Sequence, residues 1–565
     1  MRIGLLVDSP FLARCFAEVV DHIGKSDFAR LELVVFNAEA RPEPVQPPPP
    51  RSAISKLIDT LADRKRRSRL AYSLYERWDR RNTNEANDPL ALVDCTERFA
   101  QAESYRVTPI TKRFVHRFPP EAIQHIRDKN LDVLIRFGFN ILRGDILKAA
   151  KYGIWSYHHG DNDYYRGGPA YFWEVYEGSP MSGVILQVLT EELDAGKVLY
   201  KGLFTTEPGV SHVRNRVQPY WGASTFIIQK LRELQEYGWE HLEQNTVKAA
   251  PYLGKKKIYT APGNWEMVRW LGPSLIRRSL RRLVRRPMIQ HWRLALRTRA
   301  VPLIETPSTA APDVSDFRWI ESPKGRFYAD PFLLEDNGKV WAFFEDYDYA
   351  KEIGRISCAE IRAGELAQPV VALERPYHLS YPCVFRDGGE LYMIPESGSN
   401  NSVELYRCTG FPDKWQLEQE LFHGRAVDTT VWIEDGVYWF FVTMVEPRGN
   451  ATQLWLFHAD TLTGKWTPHP ANPLSTDVRY SRGAGAIFRH QGKLYRPSQD
   501  CSEHYGGSFT LNEVVVLNRS EYQEKPQVKV NPVWGDNWVG THSYGRAGDV
   551  EIIDGCARLP VGPVL

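Results

Sequence analysis

The chain has 565 residues, more than one hydrophobic core normally holds, and this length predicts several domains. With 43% hydrophobic and 25% charged residues the composition is that of a soluble protein, and a formal net charge of +2 favours no particular class of partner. Because the seven cysteines are scattered and no stretch reaches the ~20 apolar residues that span a bilayer, we expect reduced thiols and a cytoplasmic protein, at most peripheral to a membrane.

The first 245 residues predict an open α/β domain. Residues 2–7 are apolar after Arg2, as in a buried parallel strand, and a helical pattern leads from them to a second apolar strand at 31–37. After an interruption the alternation resumes with strands at 131–140, 152–159 and 182–189, helices at 119–130, 143–151 and 169–178, and a long closing helix at about 211–240.

An insert at about residues 38–85 causes the interruption. It contains RPEPVQPPPP, which neither a helix nor a sheet interior accommodates, because proline lacks a backbone N–H and fixes φ. The basic stretch at 63–81 then predicts an exposed helix.

Residues 246–311 are predicted to form a basic helical linker. The segment 274–286 places on one helical stripe Leu275, Ile276, Leu280, Leu283 and Val284. Six arginines cover the rest of this helix, and Pro287 ends it. Two interpretations stay open: a linker helix packed between domains, or a helix that lies on an anionic membrane surface.

From residue 312 to 565 a repeat replaces the helical pattern. Each copy is an apolar strand, a tight turn and an aromatic-rich strand, and the turn glycines are Gly338, Gly389, Gly436, Gly492 and Gly555. A period near fifty residues with hairpin signals is typical of propeller blades. The fold class predicted for the whole chain is therefore an N-terminal α/β open sheet followed by a C-terminal all-β five-bladed propeller.

Four motifs follow one another in the first domain. They are Ser156-Tyr157-His158, Tyr165-Arg166-Gly167-Gly168-Pro169, Ser182-Gly183-Val184 and Leu193-Asp194-Ala195-Gly196. In this order they resemble the formyltransferase family that uses 10-formyltetrahydrofolate, and the segment 131–147 resembles the strand and helix that lead to that family's site. The resemblance implies a formyltransferase-like Rossmann variant with 10-formyltetrahydrofolate as co-substrate.

Formyl transfer needs a donor for an oxyanion and a group that removes a proton from the attacking amine. The resemblance implies His158 as the donor and Asp194 as its partner, with Ser156 where the family has Asn. Since a serine hydroxyl is shorter than an amide, Asn162 or His159 are alternatives for the missing donor. The residues that the resemblance implies for cofactor binding are Phe137, Gly138, Arg166, Gly167 and Gly168.

The repeats are similar to family 43-type glycoside hydrolases, through the Ala-Asp-Pro-Phe that opens the first copy, and to the propeller domain of plant glucosamine inositolphosphorylceramide transferases. Asp330, Glu396 and Asp428 lie at strand starts or ends from which they are predicted to point inward as a sugar site, with Arg482 and Asp500 as further candidates. No metal site is predicted. Acid–base chemistry, carbohydrate recognition without chemistry, and scaffolding all remain open for this domain.

The leading hypothesis is an N-formyltransferase that acts on an amino sugar or similar amine, with the propeller binding the carbohydrate acceptor. The alternatives are a glycan-binding protein with a degenerate formyltransferase domain, and a propeller-centred glycosidase or glycosyltransferase. No nucleic acid is expected as a partner, because a propeller rather than a small basic barrel follows the first domain.

Overall fold

The computed structural model describes residues 1–40, 63–81, 87–191, 196–248, 250–284, 287–307, 310–445 and 452–564. It divides into two compact units, Met1–Leu280 and Arg281–Leu565. The proline-rich part of the predicted insert, residues 41–62, lies outside the described residues.

The first unit is built on a seven-stranded sheet. Its strands are β1 (Arg2–Val7), β2 (Arg30–Asn37), β3 (Glu103–Val107), β4 (Val133–Arg136), β5 (Ile154–His158), β6 (Met181–Val188) and β7 (Lys197–Thr205). They lie in the order β7-β6-β5-β4-β1-β2-β3; the five strands from β5 to β3 are parallel, and β6 and β7 are antiparallel additions at one edge. The predicted open α/β sheet is confirmed.

Helices cover the sheet, which explains why strands such as β1 and β4 are apolar at nearly every position. The helices of the first unit are Arg14–Lys25, Arg64–Ser68, Leu70–Arg81, Thr96–Phe99, Pro120–Asp128, Phe172–Glu177, His212–Asn215, Val217–Ala223, Phe226–Gln244 and Asn264–Val284, with a 3-10 turn at Asp145–Lys148. Short strands outside the main sheet are Phe11–Ala13, Leu92–Asp94, Ile110–Lys112, Val115–Arg117 and Ile141–Leu142.

Three predicted helices differ from the structure. The long helix expected at 211–240 is three helices, and Gly238, at φ +80°, kinks the last of them. The helix expected at 143–151 is only a 3-10 turn. The basic helix expected to be exposed buries Tyr72, Tyr75 and Asp79, because these side chains face the aromatic cluster of the first unit.

The second unit consists of antiparallel strands in five sheets. Sheet I contains Arg326–Asp336, Lys339–Asp348, Ile353–Arg362, Glu365–Leu366 and Val370–Leu373; sheet II contains Ser380–Asp387, Glu390–Ser397, Ser402–Gly410 and Lys414–His423. Sheet III contains Ala426–Glu434, Val437–Val445, Thr452–Ala459 and Thr467–Pro468; sheet IV contains Arg482–Gly483, Phe488–His490, Lys493–Asp500, Ser508–Leu517 and Tyr522–Val530. Sheet V contains Met288–Thr298, Arg318–Trp319, Trp538–Gly540, Tyr544–Ala547 and Val550–Pro560.

Both ends of the second unit meet in sheet V. Met288–Thr298 pairs antiparallel with Val550–Pro560 along its full length. The first of these strands lies in the segment predicted as a helical linker, so the β-structure begins well before residue 312. The prediction of a turn at Gly555 is wrong: Gly555 lies inside a strand against the Trp319 ring, and Gly548, at φ +54°, occupies the turn instead.

The helix Asn264–Val284 contains part of the predicted basic helix. The side chains of Leu275 and of residues 277–284 are outside the described set, and so are residues 285 and 286. Among the helices that the structure describes, none is long and apolar enough to cross a bilayer.

Candidate functional site

Three inner strands of the second unit share one backbone irregularity. Asp330, Tyr381 and Asp428 have φ of +51°, +43° and +51°, and the strand register shifts at each of them. Each lies eight residues before the turn glycine of its hairpin, at 338, 389 and 436. A bulge re-aims a side chain, and left-handed backbone at a non-glycine residue is typical of functional sites. All three side chains are buried.

The second strands of sheets I and II contribute a matching pair of acids. Glu345 lies seven residues after Gly338, and Glu396 lies seven residues after Gly389. The repeat therefore places both carboxyl groups at the same point of equivalent strands.

Asp330, Glu345 and Glu396 line a cavity of about 510 Å³, called the five-sheet cavity below. Its walls include Trp292, Phe327, Asp330, Glu345, Tyr347, His378, Ser380, Glu396, Arg425, Val427, Val445, Arg482, Tyr505 and His542. Every one of the five sheets contributes at least one of them. Two larger depressions, of about 610 and 580 Å³, lie elsewhere. In the first, Glu434 and Glu513 form ion pairs with Arg489 and Lys493 of the same lining, and no acid lines the second.

Asp330 belongs to a buried chain of polar groups. The Ser543 hydroxyl donates to its Oδ1 at 2.9 Å, and His542 Nε2 lies 3.5 Å from the same oxygen. On the other side, His542 Nδ1 lies 2.5 Å from Asp554 Oδ2. The imidazole is thus held between two carboxylates, with its ring stacked on Trp292 at 4.0 Å between centroids.

The oxygen and nitrogen atoms of Asp330, His542 and Asp554 lie within 4.8 Å of one another, a spacing that a divalent cation also accepts. The contacts between the imidazole and both carboxylates account for this arrangement without an ion. The expectation that the site holds no metal therefore stays a prediction.

Asp428 holds a cavity residue, Arg482, in place. Arg482 donates to both of its oxygens, at 2.7 and 3.1 Å, so this pair is bidentate. The guanidinium also lies over the Tyr505 ring at 4.8 Å, and about half of the Tyr505 surface is exposed.

The acids of the cavity have shifted pKa values. Burial raises the pKa of Asp330 to about 6, with the His542 charge opposing that rise. Burial and the charge of Asp428 raise the pKa of Glu396 to about 8. Burial and the neighbouring Asp330 hold the pKa of Glu345 well above its ordinary value.

His542 shows the opposite balance. Burial alone would lower its pKa, but the charges of Asp554 and Asp330 outweigh burial and raise it. At neutral pH the cavity therefore combines an acid that keeps its proton, Glu396, with a largely ionised carboxylate, Asp330. Two carboxyl groups whose pKa values are separated in this way suit a general acid and a general base.

Asp330, Glu396 and Asp428 were predicted together: the structure places Asp330, Glu396 and Arg482 in the wall of one cavity, and Asp428 contacts it through Arg482. Asp500 is elsewhere: it accepts from Lys529 Nζ at 2.7 Å and does not line the cavity.

In the first unit, the predicted catalytic residues contact other parts of the same chain. His158 lies at the end of β5, and its Nε2 is 2.8 Å from the Tyr165 carbonyl oxygen. Ser156 is buried; its hydroxyl accepts from Arg136 Nη1 at 3.0 Å and donates to the Tyr157 carbonyl. Asp194 lies outside the described residues, so the pairing of His158 with Asp194 stays a prediction.

The two alternative donors have different surroundings. His159 stacks on Tyr220 at 3.9 Å, its Nδ1 lies 3.1 Å from the Tyr171 hydroxyl oxygen, and its Nε2 is buried without a hydrogen-bond partner among the described residues. Burial with the neighbouring His158 lowers the pKa of His159 to about 3, so its ring is neutral. The backbone carbonyl oxygen of Asn162 accepts from Arg166 Nε at 3.1 Å, and a donor role for the Asn162 side-chain amide stays a prediction.

The predicted cofactor residues fall in two groups. Phe137 stacks on Phe16 at 4.5 Å, and Gly138 lies so close to β1 that an added Cβ would be 2.4 Å from the Asp8 nitrogen. Arg166, Gly167 and Gly168 pack against residues 252–259 of their own chain.

Tyr259 makes the closest contact with this second group. Its carbonyl oxygen accepts from the Gly168 N–H at 3.0 Å and would be 2.3 Å from a Cβ at Gly167, while its own N–H donates to the Arg166 carbonyl at 2.7 Å. Protein thus occupies the space beside these glycines.

Sequence reasoning identified Asp330, Glu396 and Arg482 but missed the other residues that line the five-sheet cavity, among them Glu345, Trp292 and His542, and it missed Asp554, which contacts His542. Glu345 was recognisable, because it has the same repeat position as the predicted Glu396. Trp292, His542 and Asp554 had no such signal, since their strands belong to the sheet that joins the two ends of the unit, where the repeat is weakest.

Comparisons with known proteins concern mainly the second unit. The family described as glucosamine inositolphosphorylceramide transferase 1, N-terminal, matches residues 290–544. The Arabidopsis thaliana glucosamine inositolphosphorylceramide transferase 1 is 36% identical over 205 residues, which cover 35% of this chain and 27% of that protein. The chain thus spans about a quarter of the length of this relative. The resemblance of the repeats to the propeller domain of glucosamine inositolphosphorylceramide transferases is confirmed.

Two solved structures are similar at low identity. Zg3597, a family 117 glycoside hydrolase from the marine bacterium Zobellia galactanivorans, is 13% identical with a TM-score of 0.31, over 47% of this chain and 91% of that chain. Glycinamide ribonucleotide transformylase 1 from Symbiobacterium toebii is 13% identical with a TM-score of 0.26, over 44% of this chain and 91% of that chain.

Proposed function

We propose that this protein is a carbohydrate-active transferase whose reaction centre is the five-sheet cavity, and that the five sheets are the blades of a five-bladed propeller around it. The observation that supports this most is the convergence of Asp330, Glu345 and Glu396, with raised pKa values, on one cavity to which all five sheets contribute. Perturbed carboxyl groups in a concave site are the usual mark of acid–base chemistry.

In the proposed reaction an acceptor hydroxyl attacks the anomeric carbon of a bound sugar, and the bond from that carbon to the leaving oxygen breaks. Glu396, protonated at neutral pH, gives its proton to the leaving oxygen. Asp330, ionised at neutral pH, takes the proton of the attacking hydroxyl. The next turnover begins once Glu396 has regained a proton and Asp330 has lost one to solvent.

The surrounding residues are suited to holding the sugar and the charges. Tyr505, half exposed at the cavity, offers aromatic surface against which the apolar face of a sugar ring packs, and Trp292 supports the same wall from a buried position. Arg482 neutralises Asp428, which keeps the cavity from holding too many uncompensated negative charges. His542 acts on Asp330 from behind, through hydrogen bonding and charge, and is a positioning residue in this scheme.

The acceptor is proposed from the relatives. Their name refers to an inositolphosphorylceramide, and we propose a glycan-type acceptor for this chain, with the sugar donor unassigned.

Sugar binding and turnover test this function separately. A calorimetric titration with a panel of monosaccharides and inositol glycosides should show binding by the wild type and by Asp330→Asn. Turnover of activated glycosides and transfer to inositol-type acceptors should occur only with the wild type. Binding without turnover by the wild type would reduce the function to carbohydrate recognition, and no binding at all would contradict the proposal.

Formyl transfer from 10-formyltetrahydrofolate stays a separate prediction for the first unit. The position of His158 at the carboxyl end of a parallel strand favours it, whereas the burial of Ser156 and the packing of Tyr259 on Gly167 and Gly168 disfavour it. Calorimetry with 5-formyltetrahydrofolate tests this prediction. Binding by the wild type that His158→Ala abolishes would support a folate site, and no binding by the wild type would contradict one.

A further inference from the structure

Between residues 264 and 276 the helix Asn264–Val284 has two different apolar faces. One face packs on the first unit: Met267 is fully buried, and Trp270 lies 5.5 Å from Tyr75 and 5.4 Å from Phe172 between ring centroids. The helix is thereby fixed to the body of the unit through an aromatic cluster.

The other face is exposed. Trp265, Val268 and Ile276 follow one another at spacings of three and eight residues, which places them on one side of a helix, and between 58% and 74% of each is exposed. Gly272 lies on the same side by spacing. A tryptophan at 74% exposure is unusual for a soluble surface, because indole is a large apolar group that prefers an interface.

The loop before the helix also exposes apolar side chains. Leu253 and Ile258 are 60% and 50% exposed, and Lys256 ties the loop to the helix through its ion pair with Glu266 at 2.7 Å. The ammonium of Lys256 also lies 3.8 Å from the centre of the Trp173 ring. Loop and helix start are therefore held together on the same unit.

Basic residues accompany the exposed apolar groups. Lys255, Lys257 and Arg269 are exposed within this stretch, and the sequence adds six arginines between 277 and 286. The Glu266 carboxylate is already paired with Lys256 and accepts the Gly263 N–H at 2.8 Å. The exposed surface thus combines large apolar side chains with positive charge.

We propose that this surface, formed by Leu253, Ile258, Trp265, Val268 and Ile276 with Lys257 and Arg269, docks the protein on an anionic lipid bilayer. Apolar side chains enter the region between headgroups and acyl chains, and the cations contact the headgroups. Positive charge selects a lipid surface over an apolar protein groove. The proposal is independent of the chemistry in the five-sheet cavity.

Vesicle flotation with the full chain tests the docking surface. The protein should float with phosphatidylcholine vesicles that contain about 30% phosphatidylserine, float weakly with phosphatidylcholine alone, and lose binding as salt is raised. Trp265→Ala and Val268→Asp should each lower the bound fraction by at least about tenfold. Lys257→Glu and Arg269→Glu should each lower it by about fivefold or more, at about 1 kcal/mol for each basic residue.

Matched controls come from the second unit. Val533→Asp, at a residue 67% exposed, and Lys465→Glu, at an exposed lysine, should leave flotation unchanged. Since Trp265 and Val268 are exposed, Trp265→Ala and Val268→Asp should have the same unfolding midpoint as the wild type. If Val268→Asp lowers that midpoint, only the flotation of Trp265→Ala is used to judge the proposal.

Three results would overturn the proposal. These are no flotation with either vesicle, flotation that Trp265→Ala leaves unchanged, and self-association without flotation that Val268→Asp abolishes. The last would assign the surface to a second copy of the chain. Turnover of a soluble glycoside by Trp265→Ala should equal that of the wild type, so failure here is distinguishable from failure of the proposed transferase function.

Discussion

Both units place polar side chains at strand ends, but they use them differently. In the first unit, the groups around His158 contact the protein's own backbone. The Tyr165 carbonyl oxygen lies within hydrogen-bond distance of the His158 imidazole, and Tyr259 packs on Gly167 and Gly168. In the second unit, Asp330 and Glu396 face a cavity, and burial shifts their pKa values. The comparison teaches that a correct order of motifs does not establish a free site, because packing by distant residues decides what each side chain faces.

The largest effect on activity is expected when the acids of the five-sheet cavity are replaced, and this replacement tests directly whether the second unit contains the reaction centre. Glu396→Gln and Asp330→Asn should each lower glycosyl transfer by about 100- to 10,000-fold, since each removes one proton-transfer group without changing its shape. Steady-state rates and thermal melts measure this. Glu335→Gln, at an exposed acid of the same strand as Asp330, is the control and should be fully active. Equal rates for all three variants would place the chemistry elsewhere.

The second-largest effect is expected from removing the Arg482 side chain. Arg482→Ala leaves Asp428 buried without its bidentate partner, and we expect a loss of about 3 to 5 kcal/mol in the free energy of unfolding. Denaturant titration measures it. Adding Asp428→Asn should restore part of the loss, because the second change removes the unpaired charge. A double variant no more stable than Arg482→Ala would show that the pair is not coupled.

The first unit offers a smaller stability test. Gly167 has φ +94°, and a Cβ there would be 2.3 Å from the Tyr259 carbonyl oxygen, so Gly167→Ala should cost about 2 kcal/mol or more. Gly178→Ala is the matched control: its φ is +67°, but no atom lies within 4 Å, and it should cost only about 1 kcal/mol. Chemical unfolding compares the two. Equal losses would mean that Tyr259 does not pack on this glycine.

The pH dependence follows from the raised pKa values. Activity should rise as Asp330 loses its proton near pH 6 and fall as Glu396 loses its proton near pH 8, by about tenfold per pH unit on either side. The pH–rate profile of Glu396→Gln should not decrease above pH 8, because the group that loses its proton there is absent. A flat profile in the wild type would contradict the assignment of acid and base.

The same carboxyl group makes stability depend on pH. Because the pKa of Glu396 is higher in the folded protein than its ordinary value of 4.5, the folded state holds more protons, and stability should decline as pH rises from about 4.5 to 8. Glu396→Gln should make this decline shallower. Thermal melts across this range provide the measurement.

The smallest expected effect is in the first unit. His158→Ala should change glycosyl transfer by less than about twofold, because the proposed chemistry uses none of its neighbours. A large loss would show that the first unit takes part in the reaction and would remove the contrast between the two regions. Initial rates at saturating sugar are sufficient.

The sequence by itself determined the local features. Apolar runs predicted β1, β2, β4 and β5, because parallel strands covered on both faces need apolar side chains at nearly every position. The repeat placed turns at Gly338, Gly389, Gly436 and Gly492, where φ between +73° and +89° favours glycine. It also singled out Asp330, Glu396 and Asp428, although in the structure only Glu396 lies at the end of its strand, and Asp330 and Asp428 lie at bulges within theirs.

Only the tertiary structure decided which distant segments meet. Met288–Thr298 pairs with Val550–Pro560, which brings His542 and Asp554 to Asp330, and Tyr259 packs on Gly167 and Gly168. Periodicity describes the face of one element and contains no information on its partner across some 250 residues. Burial and hydrogen bonding across the whole unit decide which distant segment each strand or loop contacts. As a result, the predicted sugar site lies in a cavity, whereas Tyr259 covers part of the predicted folate site.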